Sequence, residues 1–133
     1  MRNYLLDTCI CVFLFRGMYN LWERLDTIGK DRCYISEVTV AELKYGIANG
    51  DGNPARAMRL ESFLADVNIV PFSESIDLYA TEKARLRREG TPVDDFDLLI
   101  GCAAVSEDMI LVTDNIKHFK NIGGIEIENW VVR

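Results

Sequence analysis

The stretch Cys33–Gly50, CYISEVTVAELKYGIANG, predicts a buried strand that leads directly into a helix. Cys33–Ile35 is a short apolar run that suits a strand. Ser36 can cap a following helix, and Glu37 in the first turn is favoured by the helix dipole. Apolar residues then recur at helical spacing, at Val40, Leu43 and Ile47. Gly50 is of a type that ends helices. A strand followed by a helix is the unit from which parallel sheets are built.

Short apolar runs alternate with amphipathic segments along the rest of the chain. The runs predicted to be strands are Tyr4–Leu6, Cys33–Ile35, Asn68–Pro71, Ile110–Val112 and Ile125–Ile127. Helices are predicted over residues 9–15, 21–28, 37–49, 54–65, 73–89, 95–107 and 116–119. This alternation predicts an α/β fold with a mainly parallel sheet. A length of 133 residues fits a single domain over residues 1–133.

Composition limits the function classes. The formal net charge is −6 and the pI is about 4.8, so nonspecific coating of nucleic acid is excluded and any such function must rest on a local site. Four cysteines without paired spacing and a single histidine, His118, do not predict a structural zinc site, and His118 is expected in a loop without a ligand role. No signal peptide is visible, and no apolar run reaches the roughly 18 residues of a membrane span. We therefore expect a cytoplasmic protein with reduced, buried thiols and no membrane contact.

Four acids fall near the ends of predicted strands. Asp7 follows the first strand, and Asp114 follows the fourth. Asp97 lies in the first turn of the helix before the fourth strand, and Glu42 lies about two turns into the helix after the second. Ligands of open parallel sheets bind outside the carboxyl ends of the strands. We therefore expect these four side chains to converge on one edge of the sheet.

A convergence of carboxylates indicates a divalent cation. Like charges a few ångström apart raise each other's pKa, and a hard cation such as Mg²⁺ or Mn²⁺ offsets that repulsion. Such a site suits phosphodiester hydrolysis, because the metal activates a water and offsets charge on the attacked phosphate. Asp and Glu make up 21 of the 133 residues, so the same acids taken alone also fit a solvated surface or helix caps.

Several segments carry a resemblance to a known family. They are Leu5–Cys11 (LLDTCIC), Thr39–Gly46 (TVAELKYG), Gly90–Val93 with Asp97–Ala103, Leu111–Asn115 (LVTDN) and Ile125–Trp130 (IEIENW). Together, in this order and at family spacing, they resemble the PIN-domain ribonucleases, and most of all the VapC toxins of toxin–antitoxin pairs. The resemblance covers nearly the whole chain.

The resemblance implies an α/β/α sandwich around a parallel sheet of about five strands. It also implies a Mg²⁺- or Mn²⁺-dependent endoribonuclease that cleaves tRNA, rRNA or mRNA, a cognate antitoxin protein as partner, and a homodimer. Asp7, Glu42 and Asp97 match the family's first three acids. Asp114, directly or through water, is the expected fourth catalytic and metal-binding residue, with Asn115 as the alternative.

Neighbouring positions match the family pattern in part. Thr8 and Thr113 match small polar positions that can orient the carboxylates through hydrogen bonds. Cys9 stands where Asn is common, and Phe96 stands where a small polar residue is common. Neither departure removes a predicted ligand, but both can change how a substrate sits.

Three other functions fit parts of the pattern. A phosphoacceptor receiver domain needs a Lys after a late strand, whereas Glu128–Trp130 follow Ile125–Ile127 here. A haloacid-dehalogenase-type phosphatase needs a second Asp two residues after the first, where Cys9 stands. The serious alternative is a non-catalytic PIN-like module that binds RNA or a protein without cutting.

Two surface features leave alternatives open. The first is the basic run Lys83, Arg85, Arg87 and Arg88, joined near the catalytic segments by Arg16 and Lys44. These side chains can hold phosphates, or the run can be a solvated helix face balanced by Glu82 and Glu89. The second is the apolar set Phe13, Phe15, Tyr19, Leu21 and Trp22. It can belong to the core, or to a dimer surface or antitoxin groove.

Overall fold

A sheet of five parallel strands forms the central layer of the protein. The structure, a computed structural model, describes residues 1–133. The strands are β1 (Tyr4–Leu6), β2 (Cys33–Ser36), β3 (Asn68–Val70), β4 (Ile110–Val112) and β5 (Ile127–Glu128). Their order across the sheet is β3-β2-β1-β4-β5, and each neighbouring pair is parallel. β1 is central, and the chain continues to one side of it through β2 and to the other through β4, which is the arrangement that opens a crevice at the strand ends.

Helices connect the strands and cover the sheet. They are α1 (Thr8–Phe15), α2 (Leu21–Ile28), α3 (Glu37–Ala48), α4 (Pro54–Asp66), α5 (Ile76–Arg88), α6 (Asp95–Ser106) and α7 (Ile116–Phe119). The predicted Ser36 cap is present, since its hydroxyl accepts a hydrogen bond from Val38 N–H at 3.0 Å. Asn53 caps α4 in the same way, its side chain accepting a hydrogen bond from Ala55 N–H at 3.0 Å. None of these helices combines the length and the apolar composition that crossing a bilayer requires.

Consecutive residues of the inner strands face opposite layers of helices, as the pleat of a strand requires. Leu5 and Leu111 pack on one face with side chains from α5 and α6. Leu6 and Val112 pack on the other face with side chains from α1 to α4. All four strand residues are completely buried. The predicted α/β fold is confirmed, and its layers are those of an α/β/α sandwich.

The helix after β3 begins later than predicted. We expected it to open at Ser73, but Phe72–Ser75 forms a 3₁₀ turn and α5 starts at Ile76. The Phe72 N–H donates to the Glu37 carboxylate at 2.6 Å, and the Ser75 hydroxyl donates to the Phe72 carbonyl at 2.8 Å. The contact with Glu37 bridges distant parts of the chain, so the local pattern around Ser73 does not contain it.

The last strand is also displaced from its predicted position. The prediction was Ile125–Ile127, whereas β5 comprises Ile127–Glu128. The ladder places Ile127 opposite Leu111, and the Ile125 N–H instead donates to the Ile122 carbonyl at 3.3 Å within a turn. Pairing with β4, and not the apolar run itself, decides where this strand begins.

The central place of β1 can be tested by truncating one side chain. Leu5→Ala is expected to lower the free energy of unfolding by about 2–5 kcal/mol, because it leaves a cavity at a fully buried position. The matched change Ile69→Ala trims a side chain that is 39% exposed on the edge strand β3, and it is expected to cost less than about 1.5 kcal/mol. Urea denaturation followed by circular dichroism measures both. Equal losses would contradict the position of β1.

Candidate active site

Asp7 is held rigidly at the carboxyl end of β1, the central strand. It is the N-cap residue of α1, and its Oδ1 accepts a hydrogen bond from Thr8 N–H at 2.8 Å. Its Oδ2 accepts a second hydrogen bond, from the Thr113 hydroxyl at 2.8 Å. Only 4% of Asp7 is exposed. Because Thr113 follows β4, the pairing of β1 with β4 is what brings this hydroxyl to the carboxylate.

Glu42 lies beside Asp7, and Thr8 links the two. The Thr8 hydroxyl donates to Glu42 Oε1 at 2.7 Å and also lies 3.0 Å from the hydroxyl oxygen of Thr39. Glu42 comes from α3, whose start is set by the Ser36 cap. One threonine therefore holds both carboxylates, Asp7 with its backbone N–H and Glu42 with its side chain.

Asp97 lies in the first turn of α6 and contacts His118. The His118 Nδ1 lies 3.1 Å from Asp97 Oδ2, and the Asp97 side chain is 24% exposed. His118 was expected in a loop, which is wrong because it lies in α7, the helix predicted over residues 116–119, where its ring contacts this acid. Its partner is 21 residues away in the chain, so no local spacing could have indicated the contact.

The Asp114 carboxylate is paired with side chains near the carboxyl end of the chain. Arg133 Nη2 donates to Asp114 Oδ2 at 2.6 Å and Nη1 donates to Oδ1 at 3.0 Å. The Asn129 amide adds a third hydrogen bond at 3.0 Å. The Arg133 guanidinium holds the pKa of Asp114 down at about 2. At Asn115, the backbone N–H donates to the Thr113 hydroxyl at 3.0 Å.

Burial and mutual repulsion raise the pKa values of the clustered carboxyl groups. Burial raises the pKa of Asp7, although hydrogen bonds from two threonines oppose the shift. Burial also raises the pKa of Glu42, and the charge of Asp7 adds to this rise. The pKa of Asp97 rises to about 6, first through burial and then through the charge of Asp7. The structure thus concentrates negative charge between β1, α3 and α6, which is an environment that attracts a cation.

The chemistry of this cluster fits a hard divalent ion. Carboxylate and hydroxyl oxygens dominate it, and the neighbouring Cys9 thiol is kept protonated, since burial raises its pKa to about 11. No set of three or more His, Cys, Asp or Glu side chains already surrounds one point as a metal cage. Mg²⁺ in proteins is usually held by one or two carboxylates, with waters and substrate phosphates completing its shell. The residues present therefore suit Mg²⁺ or Mn²⁺ without a complete cage.

The basic run on α5 is partly neutralised by acidic side chains. Lys83 lies 2.7 Å from Asp95, and Arg85 pairs with Glu82 at 2.6 Å and with Glu89 at 2.8 Å. For these two cations the solvated, balanced helix face is the better description. Arg87 and Arg88 are exposed and form no ion pair, so their positive charge is not balanced by a neighbouring carboxylate.

Comparison with known proteins places the chain in a family. The PIN domain model matches residues 4–125. Ribonuclease VapC2 of Rickettsia felis is 34% identical over 130 residues, which is 96% of this chain and 97% of that protein. The tRNA(fMet)-specific endonuclease VapC of Shigella flexneri is 28% identical over 131 residues, which is 98% of this chain and 99% of that protein. The chain belongs to the PIN-domain family and, within it, to the VapC ribonucleases.

Solved structures agree with this assignment. A chain in the crystal structure of DNA-bound VapBC from Salmonella typhimurium is 30% identical and superimposes with a TM-score of 0.90, covering 98% of this chain and 99% of that chain. A chain in VapBC2 from Rickettsia felis bound to a promoter DNA fragment is 32% identical with a TM-score of 0.87, covering 96% and 98%. The resemblance seen in the sequence segments is thereby confirmed.

The crowding of carboxylates should lower the stability of the metal-free protein. The folded-state pKa of Asp97 is raised from 3.8 to about 6. Its carboxyl is mostly protonated in both states below about pH 4. Between about pH 4 and pH 6 only the unfolded state loses the proton, so the penalty on the folded state builds up over this window and is complete above about pH 6. Asp97→Asn is therefore expected to raise the free energy of unfolding near pH 8 by about 1 kcal/mol, a value reduced for partial exposure. The gain should disappear near pH 4.

Urea denaturation in EDTA at the two pH values measures this difference. Asp26→Asn is the matched control: this acid on α2 is 67% exposed and pairs only with the exposed Lys30 at 3.6 Å, so its loss should shift either value by less than about 0.5 kcal/mol. A variant at Asp97 that is no more stable than the wild type near pH 8 would contradict repulsion among these acids.

Proposed function

We propose that residues 1–133 form one PIN-like domain that acts as a divalent-metal-dependent endoribonuclease, the toxin of a toxin–antitoxin pair. The supporting observation is the cluster of Asp7, Glu42 and Asp97, in which burial raises all three pKa values and neighbouring carboxylates add to the rise at Glu42 and Asp97. It lies at the carboxyl edge of a parallel sheet, where such folds bind ligands. Relatives that match nearly the whole chain are named ribonuclease and tRNA(fMet)-specific endonuclease.

Mg²⁺ or Mn²⁺ is the proposed cofactor. Asp7, Glu42 and Asp97 would hold it, and Asp114 or its neighbour Asn115 is the proposed fourth site position. Asp114 would have to exchange its contacts with Arg133 for this role. A bound ion of this kind makes a water more acidic and offsets negative charge on the attacked phosphate.

The protein's own side chains have separate tasks in the proposed hydrolysis. Thr8 and Thr113 keep the carboxylates oriented through the hydrogen bonds described above. Glu42 uses only Oε1 in those contacts, so Oε2 is available to take a proton from the attacking water, and its raised pKa favours this role. His118 steadies Asp97 through Oδ2. No protein nucleophile takes part.

The proposed substrate is RNA. Among tRNA, rRNA and mRNA, tRNA is the first candidate to test. The relative from Shigella flexneri is named a tRNA(fMet)-specific endonuclease. The acidic chain as a whole does not attract phosphates, so recognition has to come from a local surface.

The proposed antitoxin partner has a fitting surface between α1, α2 and α4. A groove of about 300 Å³ there is lined mainly by apolar side chains, among them Phe15, Trp22, Leu25, Phe63 and Val67. Trp22 is 40% exposed, and its indole N–H donates to the Leu14 carbonyl at 2.8 Å, which fixes the ring. Of the apolar set in the first half of the chain, Leu21 belongs to the core, whereas Trp22 and Phe15 line this groove. The homodimer stays a prediction.

Replacing two acids tests the proposed chemistry. Asp7→Asn and Asp97→Asn are each expected to lower the rate of tRNA cleavage by at least about a hundredfold, because they remove charge needed at the metal site. Gel assays with added Mg²⁺ or Mn²⁺ measure the rate, and EDTA should abolish it. Asp26→Asn should cleave like the wild type. Wild-type cleavage by either site variant would refute the assignment, and metal-dependent RNA binding without cleavage would favour the non-catalytic module.

Filling the apolar groove tests the partner surface. Ser62 is exposed and lines the groove, so Ser62→Arg should block it without disturbing the core. We expect binding of the cognate antitoxin to weaken at least about tenfold. Calorimetry compares this variant with Ser73→Arg, an exposed serine outside the groove. Equal affinities of both variants and the wild type would mean that the antitoxin binds elsewhere.

A further inference from the structure

A second groove leads directly from the candidate active site. It has a volume of about 280 Å³ and lies between the end of α1, α3 and the start of α4. Thr8 and Glu42 line it, so it opens onto the carboxylate cluster. Gly46 also lines it, and a Cβ added at Gly46 would meet no atom within 4 Å, so this wall is open.

The walls of this groove carry more positive than negative charge. Arg16, Arg56 and Arg59 line it, and Glu42 is its only acid. Arg16 is exposed and forms no ion pair. Arg59 donates to the Phe15 carbonyl at 3.0 Å and has no carboxylate partner. Arg56 lies 3.5 Å from Asp51. In an acidic protein, this concentration of guanidinium groups beside the cluster is a local anion-binding surface.

The groove also has an apolar side. Val12, Leu43, Ile47 and Leu60 line it together with the arginines. An inorganic anion would make no use of such a surface. A nucleic-acid strand does, because its phosphates bind guanidinium groups while its bases and sugars pack on apolar or planar surfaces.

We propose that this groove binds the single-stranded RNA backbone next to the bond that is cut. Arg16 and Arg59 bind phosphates of the strand, and the apolar wall receives a base or ribose. This inference rests on the proposed function and adds the path that the substrate takes. The alternative path along α5 is disfavoured, because none of the four site acids lines the cavity beside Lys83 and Arg87.

Arg16→Gln is the variant that tests the groove. Its side chain forms no ion pair whose loss could unfold the protein, and it does not line the apolar groove assigned to the antitoxin. Arg87→Gln is the matched control, since Arg87 is also exposed and unpaired but lies on α5. Both changes are made in the Asp7→Asn chain in EDTA, so that binding is measured without cleavage.

The probe is a short fluorescein-labelled single-stranded RNA, and fluorescence anisotropy gives its Kd over a series of salt concentrations. Arg16→Gln is expected to raise the Kd roughly five- to tenfold and to reduce the salt slope by about 0.7, the contribution of one phosphate contact on a single strand. Arg87→Gln should stay within about twofold of its parent. An unchanged Kd and slope for Arg16→Gln, or an equal loss for Arg87→Gln, would overturn the proposal.

Cleavage assays on the same substitutions in the active chain separate the two levels of inference. If RNA binding depends on Arg16 but the chain never cleaves RNA, the proposed nuclease function is refuted and the proposed RNA-binding groove is supported. If cleavage is metal-dependent but Arg16→Gln leaves the KM unchanged, the proposed nuclease function is supported and the proposed RNA-binding groove is refuted.

Discussion

A carboxylate buried at the end of the central strand is the constraint on which the rest of the site depends. Burial makes the charge on Asp7 costly, and hydrogen bonds offset part of that cost. The donors come from Thr8 on the next element and Thr113 on the neighbouring strand. The site therefore depends on the pairing of β4 with β1, which places the Thr113 hydroxyl against Asp7.

The site works against the stability of the protein that holds it. Asp7, Glu42 and Asp97 raise the energy of one another's charged forms, and the apolar layers on both faces of the sheet must supply the stability that the cluster removes. Proteins commonly accept such a loss where a function needs charges held close together. The same crowding makes a cation, or a substrate brought in by a cation, favourable at this edge.

Much of the fold could be predicted because strands and helices follow local rules. The strand at Tyr4–Leu6 and the Ser36 cap depend on apolar pattern and residue type, and the structure has both where they were predicted. The errors have a different origin. Glu37 accepts a hydrogen bond from the Phe72 N–H, in the 3₁₀ turn that precedes the later start of α5. The strand β5 begins at Ile127, where it pairs with β4. Both are contacts between residues far apart in the chain.

The sequence by itself determined the order of strands and helices, the family, and which acids lie near strand ends, because all of these are written in residue types and their spacing. Only the tertiary structure decided which acids share a charge environment and which are occupied elsewhere. It set Asp97 against His118, joined Asp114 to Arg133, and left Arg16 unpaired in a groove beside Glu42. Such outcomes depend on distances between separate elements, and packing alone fixes those distances.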